Sequence, residues 1–539
     1  MAKKQNFIHG AAILTVGVII MKLLGFIYKI PLGNILDDEG YSMFTSAYSI
    51  YFIFFTLATA GLPVALSRLI AEADANGRVK QEEKTFRVAL ATFAVIGVIF
   101  ALILFLFPEW LAAKYLENPD AALSIKAMAP SILLVCLVSA YRGYCQGNGN
   151  MIPTTVDEVL EVLFKVISGL ILASCLLKAG YGKPVGSAGA ILGVSIGSVI
   201  SLLYMIIYKR RHYSELSAPY TAGIHAPNDT PDDDELVDPA WKIVKDILSI
   251  GIPIAFGACI MAILNSVDSK LCMNRLQSAA GFSYYQAKVL YGVYGKAQTL
   301  FNLPAAFITP LTIAIVPEIS GAIAKGANAA ARKTSDVISL PMGVGLTVLA
   351  YPIMNVLYPN SNAAGPGLLA IMGAASFFVC TVLMENAILQ ASGHEKLTMV
   401  TMISGGLVKI IVNWFLVAQR SINIYGAPVG TLVSYVVMAL MNYIFICVAL
   451  RHRPKLLRIF ARPLAASVLM GAAAWAIYGL CARFIGAVSW SRIALCMLAA
   501  IAVAVIVYLV STIALRSITK EDMKLIPGGE KIANFLHIR

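Results

Sequence analysis

Charge is what this sequence has least of. Lys, Arg, Asp and Glu make up 13% of its 539 residues, against about 25% in soluble domains. With 59% of the chain hydrophobic, an all-α polytopic membrane protein is the expected class. Paired cysteines are missing too. The nine lie scattered without a C-x-x-C, which points to reduced structural thiols. The six histidines have no ligand spacing, so no metal site is expected. A Walker GxxxxGK[ST] is absent, which removes ATP as the direct fuel. Extracytoplasmic loops are too short for an active-site domain. Paired carboxylates suited to glycosyl transfer are absent outside the cytoplasmic half of the fifth apolar run. The expectation is a transporter, not an enzyme, with no cofactor.

Apolar runs of about 20 residues are what the chain has in plenty. They fall near 8–30, 44–67, 86–107, 122–145, 152–177, 185–208, 245–272, 287–316, 336–357, 366–390, 397–418, 425–450, 462–484 and 491–516. That makes about fourteen spans. No Ala-x-Ala cleavage site follows the first run, so it is read as a retained span. The net charge of +13 sorts to one side of the spans and forms no nucleic-acid patch. "MAKK", "SRLIAEADANGRVKQEEKTFR", "YKRRHY", "KGANAAARKT" and "RHRPKLLRIFARP" carry far more Lys and Arg than "GNILDDEG", "PEWLAAKYLENPD", "YPNSNAAGPG" and "RSINIYG". The first set is therefore cytoplasmic, with both termini.

Residues 209–242 are rich in Pro, Asp and small residues and read as a cytoplasmic linker. The two sides of it resemble each other. "CLVSAYRGYCQGNGNMIPTTVDEVLEVLFKVI" (136–167) aligns with "CTVLMENAILQASGHEKLTMVTMISGGLVKII" (380–411), pairing Gln146 with Gln390, Gly149 with Gly393 and Lys165 with Lys409. "GAILG" (189–193) answers "GAPVG" (426–430). Earlier in each half, "LSRLIAEADANGR" and "VPEISGAIAKGAN" hold the same place, and three blocks in order point to a duplication. The expected organisation is an N-lobe of six helices over 1–208, the linker, and a C-lobe of six over 243–455. Two further helices over 456–517 and a cytoplasmic tail over 518–539 complete it. Two parallel repeats place a site at their interface.

The polar residues inside the spans are the informative ones. Glu161 and Lys165 are four apart on one helix face, either a self-neutralising pair or part of a coupling device. Asp157 and Glu158 lie near the cytoplasmic rim. Asp268, beside Lys270, reads equally as outer surface or site, and Glu385 is a further intramembrane carboxylate. Lys22, Lys296 and Lys409 sit deep in their spans with no carboxylate three or four residues away. Snorkelling is strained at such depth, so a basic central cavity is the better reading for these three. Lys29, nearer the outer end, fits snorkelling and cavity equally.

"KLLGFIYKIPL", "ATAGLPVALSRLIAE", "LYGVYGKAQTLFNLPAAFITPLTIAIVPEIS" and "GAPVGTLVSY" resemble the multidrug/oligosaccharidyl-lipid/polysaccharide exporter superfamily over nearly the whole chain. Within it the chain looks most like the MurJ-type lipid II flippases, in the branch that includes stage V sporulation protein B. The resemblance implies a substrate-facing Lys22 ahead of the Leu-Gly-Phe turn. Tyr28 and Lys29 stand where that family has an Arg-Asp pair, and Lys296 where its eighth helix carries an arginine. The family's second-helix arginine has no clear counterpart, Arg68 lying a turn or more later. The implied activity is flipping of a polyprenyl diphosphate, lipid II foremost, across a bacterial cytoplasmic membrane by a monomer. Lysines would offset the cost of carrying its diphosphate through low dielectric. A coupling ion, the membrane potential or substrate supply would drive it. The last two helices form either a groove for the lipid tail or lipid-facing bulk. Three rivals stand beside this: a flippase for another undecaprenyl-linked saccharide, a cation-coupled multidrug exporter, and a membrane enzyme or scaffold.

Overall fold

In a bilayer each spanning segment must satisfy its own backbone polar groups, and helices do so. The computed structural model describes residues 7–213, 237–309, 312, 327–449, 456–486 and 489–515, and these are helical almost throughout. The first part builds α1 (Phe7–Ile35), α2 (Asp37–Ala60), α3 (Leu62–Ala75), α4 (Val79–Leu106), α5 (Ala122–Gly147), α6 (Ile152–Lys178) and α7 (Lys183–Tyr213). There follow α8 (Ala240–Ser278), α9 (Tyr284–Phe301), α10 (Ala327–Val348), α11 (Ala350–Leu357) and α12 (Gly365–Ala391). The chain continues through α13 (Glu395–Leu416), α14 (Gly426–Ala449), α15 (Leu456–Cys481) and α16 (Trp490–Ala514).

Twelve described helical stretches are long and apolar enough to cross a membrane, or thirteen if a bent pair counts as one span. The chain is a multi-pass membrane protein. The expected span 287–316 is described only as α9, the helical residues 303–309 and residue 312. Of the expected linker, 209–213 close α7 and 240–242 open α8, while 214–236 lie outside the described residues, as does the tail 518–539.

Two helix breaks have local causes. Pro63 has no N–H for the carbonyl of Thr59, and the helix is interrupted at Gly61 between α2 and α3. Pro352 likewise leaves the Val348 carbonyl without its donor, and α10 and α11 meet there at 75°.

The helices fall into two compact units. One comprises Met1–Tyr28 and Met43–Ser269, the other Lys29–Ser42 and Lys270–Arg539. This differs from a division at the linker: the α1–α2 corner belongs with the second unit, and most of α8 with the first. Phe86, Phe93, Cys136, Tyr144 and Ile247 lie in the core of the first unit. Tyr291, Tyr294, Met354, Tyr358, Leu368 and Met372 lie in that of the second.

The aligned blocks share a turn. Gly149 follows α5 at φ +70° and Gly393 follows α12 at φ +76°, the left-handed region that glycine enters without strain. In each, the glycine N–H bonds the carbonyl three residues back (Gln146, Gln390). The next N–H reaches five back, Asn150 to Cys145 and His394 to Leu389. One capping motif thus closes both helices.

Candidate functional site

Among the described residues, each unit buries an ionic cluster. In the first, α5 carries Arg142 (7% exposed) toward α6, where Asp157, Glu158 and Glu161 fall within little more than one turn. Arg142 Nε donates to Asp157 Oδ2 at 2.6 Å and Nη2 to Glu161 Oε2 at 2.7 Å, while Nη1 lies 3.8 Å from Glu158 Oε1. From α7, Ser201 donates to Asp157 Oδ1, and Ser198 to Glu161 Oε1 at 3.1 Å. A planar guanidinium with five donors can serve three carboxylates at once. The second unit has no such cluster at the matching place. The alignment of 136–167 with 380–411 sets Asn386 opposite Arg142, Thr401 opposite Asp157 and Gly405 opposite Glu161. Asn386 accepts from Asn442 Nδ2 at 2.9 Å, a neutral amide pair.

The second unit's cluster joins the α1–α2 corner to α9. The corner turns at Asp37 (φ +58°), and Asp37, Asp38 and Glu39 form the acidic first turn of α2, a placement the helix dipole favours. Lys296, 2% exposed, places Nζ 2.6 Å from Asp38 Oδ1 and 5.2 Å from the centre of the Tyr358 ring. Lys288, 3% exposed, reaches Glu39 Oε1 at 2.7 Å. Tyr41 and Thr299 share a hydroxyl contact at 2.9 Å, and Asn34 donates to the Leu357 carbonyl at 2.8 Å.

The approach is so close that a Cβ on Gly292 would strike the Asp38 backbone carbonyl. Gly292→Ala is therefore expected to push α9 off the corner and lower the melting temperature by several degrees. An unchanged thermal unfolding curve would show that α9 does not need this approach.

Of the residues singled out from sequence, Lys22 is exposed on α1 and makes no hydrogen bond or ion pair among the described residues. Lys29 and Lys409 are half-buried, and each is engaged by neighbours. Tyr28 is buried, donates to the Ala190 carbonyl at 2.9 Å and meets the Phe44 ring edge-on. Asp268 and Glu385 are buried with interactions of their own.

Two partners differ from those that spacing along one helix suggests. Lys296 has no carboxylate nearby on its own helix, yet Asp38 reaches it from 258 residues away. Glu161 pairs with Arg142, and Lys165 makes no ion pair among the described residues. Arg142, Lys288, Asp38 and Glu39 were not picked out from sequence. The expected outer loop "GNILDDEG" is absorbed into the end of α1 and the start of α2, which carries these acids. Their signal was three acids opening a helix after Pro-Leu-Gly-Asn.

The model of a family described as "Polysaccharide biosynthesis protein" matches residues 7–322. Stage V sporulation protein B of Bacillus subtilis (strain 168) is 26% identical over 450 residues, covering 81% of this chain and 83% of that protein. Lipid II flippase MurJ of the same organism is 24% identical over 461 residues, covering 82% of each. A solved structure of Lipid II flippase MurJ, in an inward closed conformation, superposes with a TM-score of 0.69 at 14% identity, covering 94% of this chain and 99% of that one. At that identity the likeness is one of fold.

Proposed function

We propose, on the premise that the chain belongs to the polysaccharide biosynthesis protein family, that it is a flippase for a polyprenyl-diphosphate-linked cell-wall precursor. Lipid II is the foremost substrate, carried by alternating access through a basic central cavity in a bacterial cytoplasmic membrane. The likeness to Lipid II flippase MurJ over 82% of the chain supports the activity class.

The observation that carries the substrate reading is Lys22. The exposed apolar stripe of α1 runs through Val16, Ile20, Leu23 and Ile27. Lys22 projects roughly 130° around the helix from it, at 100° per residue. An ammonium that deep is costly against hydrocarbon, so this side of α1 faces water or an anion. Lys29 and Tyr28 on α1, Lys296 on α9 and Lys409 on α13 make up the rest of the proposed substrate-binding set. Glu161, Lys165, Asp268 and Glu385 make up the proposed coupling or gating set. The energy source is an ion gradient, the membrane potential or substrate supply.

A cation-coupled multidrug exporter of the same superfamily is the second reading, favoured by the three carboxylates around Arg142. Purified protein in vesicles separates the two. Lipid II is expected to cross and an organic cation is not. Movement of the cation alone would replace the flippase reading with the exporter.

Topology has its own test. With both termini and 209–242 cytoplasmic, a single cysteine at position 225 is expected to react with an impermeant reagent in inverted vesicles only. Reaction in intact cells would reverse the topology.

A further inference from the structure

Asp38 is a carboxylate held by three donors of different kinds. Lys296 Nζ reaches Oδ1 at 2.6 Å, the Ser361 hydroxyl donates to the same oxygen at 2.7 Å, and the Asn362 backbone N–H donates to Oδ2 at 2.8 Å. An ammonium, a hydroxyl and a loop amide converging on two oxygens is a donor set that suits a phosphate equally well. The donors come from α9 and from the loop before α12. The acceptor arrives separately, on residues 29–42, whose two ends continue into the other unit. The neighbouring Glu39 meets Lys288 in the same way, at 2.7 Å. Two successive carboxylates of one corner thus neutralise two buried lysines of one helix.

We propose that Asp38 is an internal stand-in for an anion. The cradle of Lys296, Ser361 and the Asn362 amide binds a phosphate of the transported substrate, and Asp38 fills it when no substrate is present. The identity of that phosphate as part of a lipid-linked precursor rests on the flippase reading; the cradle itself rests on its three donors. Exchange of one anion for another never leaves Lys296 buried and unpaired, the state that makes a buried cation so unfavourable. A charged group can then be gripped and released again without a large free-energy step.

Removing the stand-in tests this. Asp38→Ala protein in detergent is expected to melt about 5 °C below wild type, because a buried lysine has lost its carboxylate. Inorganic pyrophosphate at constant ionic strength is expected to restore most of that loss. Chloride is expected not to, and wild type is expected not to respond. The double variant Asp38→Ala/Lys296→Ala is expected to lose the response. If Asp38→Ala does not accumulate, Asp38→Asn is read in its place, with the same rescue expected.

Pyrophosphate that leaves the single variants unmoved, or stabilises the double variant equally, overturns the proposal. Rescue in a protein that moves no lipid-linked precursor would uphold the cradle and discard the flippase reading. Transport without rescue would do the reverse.

Discussion

Arg142→Ala is expected to destabilise the protein more than the loss of any one carboxylate around it. The guanidinium is buried and touches Asp157, Glu158 and Glu161, of which Asp157 is fully buried. Among the described residues, its removal leaves three carboxylates with two serine hydroxyls and no ion-pair partner. Breaking a buried ion pair costs roughly 3–5 kcal/mol, and here three acceptors lose one partner together. A large fall in melting temperature and in protein level is the expected result, read by thermal unfolding in detergent. Arg142→Lys keeps the charge but loses the planar fork, so it should recover only part of the loss. Neutralising the acids in the same background (Asp157→Asn with Glu161→Gln) should recover more, since the uncompensated charge is what destabilises. A melting temperature unchanged by Arg142→Ala would mean that the cluster does not hold α5 to α6.

The sequence carried the helices because hydropathy over about 20 residues is a one-dimensional property. It carried the shared turn because Gly149 and Gly393 occupy matching places and a left-handed residue after a helix is a local demand. Partners were a different matter. Glu161 and Lys165 have the right spacing, but spacing sets only who can be reached along one helix. Arg142 offers Glu161 a charge-assisted bond from a second helix, and that one forms. Lys296 looked partnerless for the same reason, since its carboxylate lies 258 residues away at a corner that had been read as a loop. Periodicity names the face of a helix and says nothing of what another helix brings to it. Lys22 makes no hydrogen bond or ion pair among the described residues, so no partner brought by a second helix changes how spacing along α1 reads it.

Lys22 therefore gives the cleanest access to function. Replacing it by Glu disturbs no ion pair or hydrogen bond among the described residues, so folding should be spared. If Lys22 meets the diphosphate, its loss removes a charge-assisted contact worth roughly 1.5–3 kcal/mol, and the new carboxylate adds repulsion. Transport should then fall by about tenfold or more, since each 1.4 kcal/mol is a factor of ten. Arg at this place keeps the charge and should be mild.

The decisive measurement is the rate at which purified protein in vesicles carries lipid II from one leaflet to the other, with wild type and Lys22→Glu matched for amount and melting temperature. The account predicts movement well above protein-free vesicles for wild type and a loss of about tenfold or more for the variant. A wild-type rate no faster than protein-free vesicles, or a Lys22→Glu variant as fast as wild type, would contradict it.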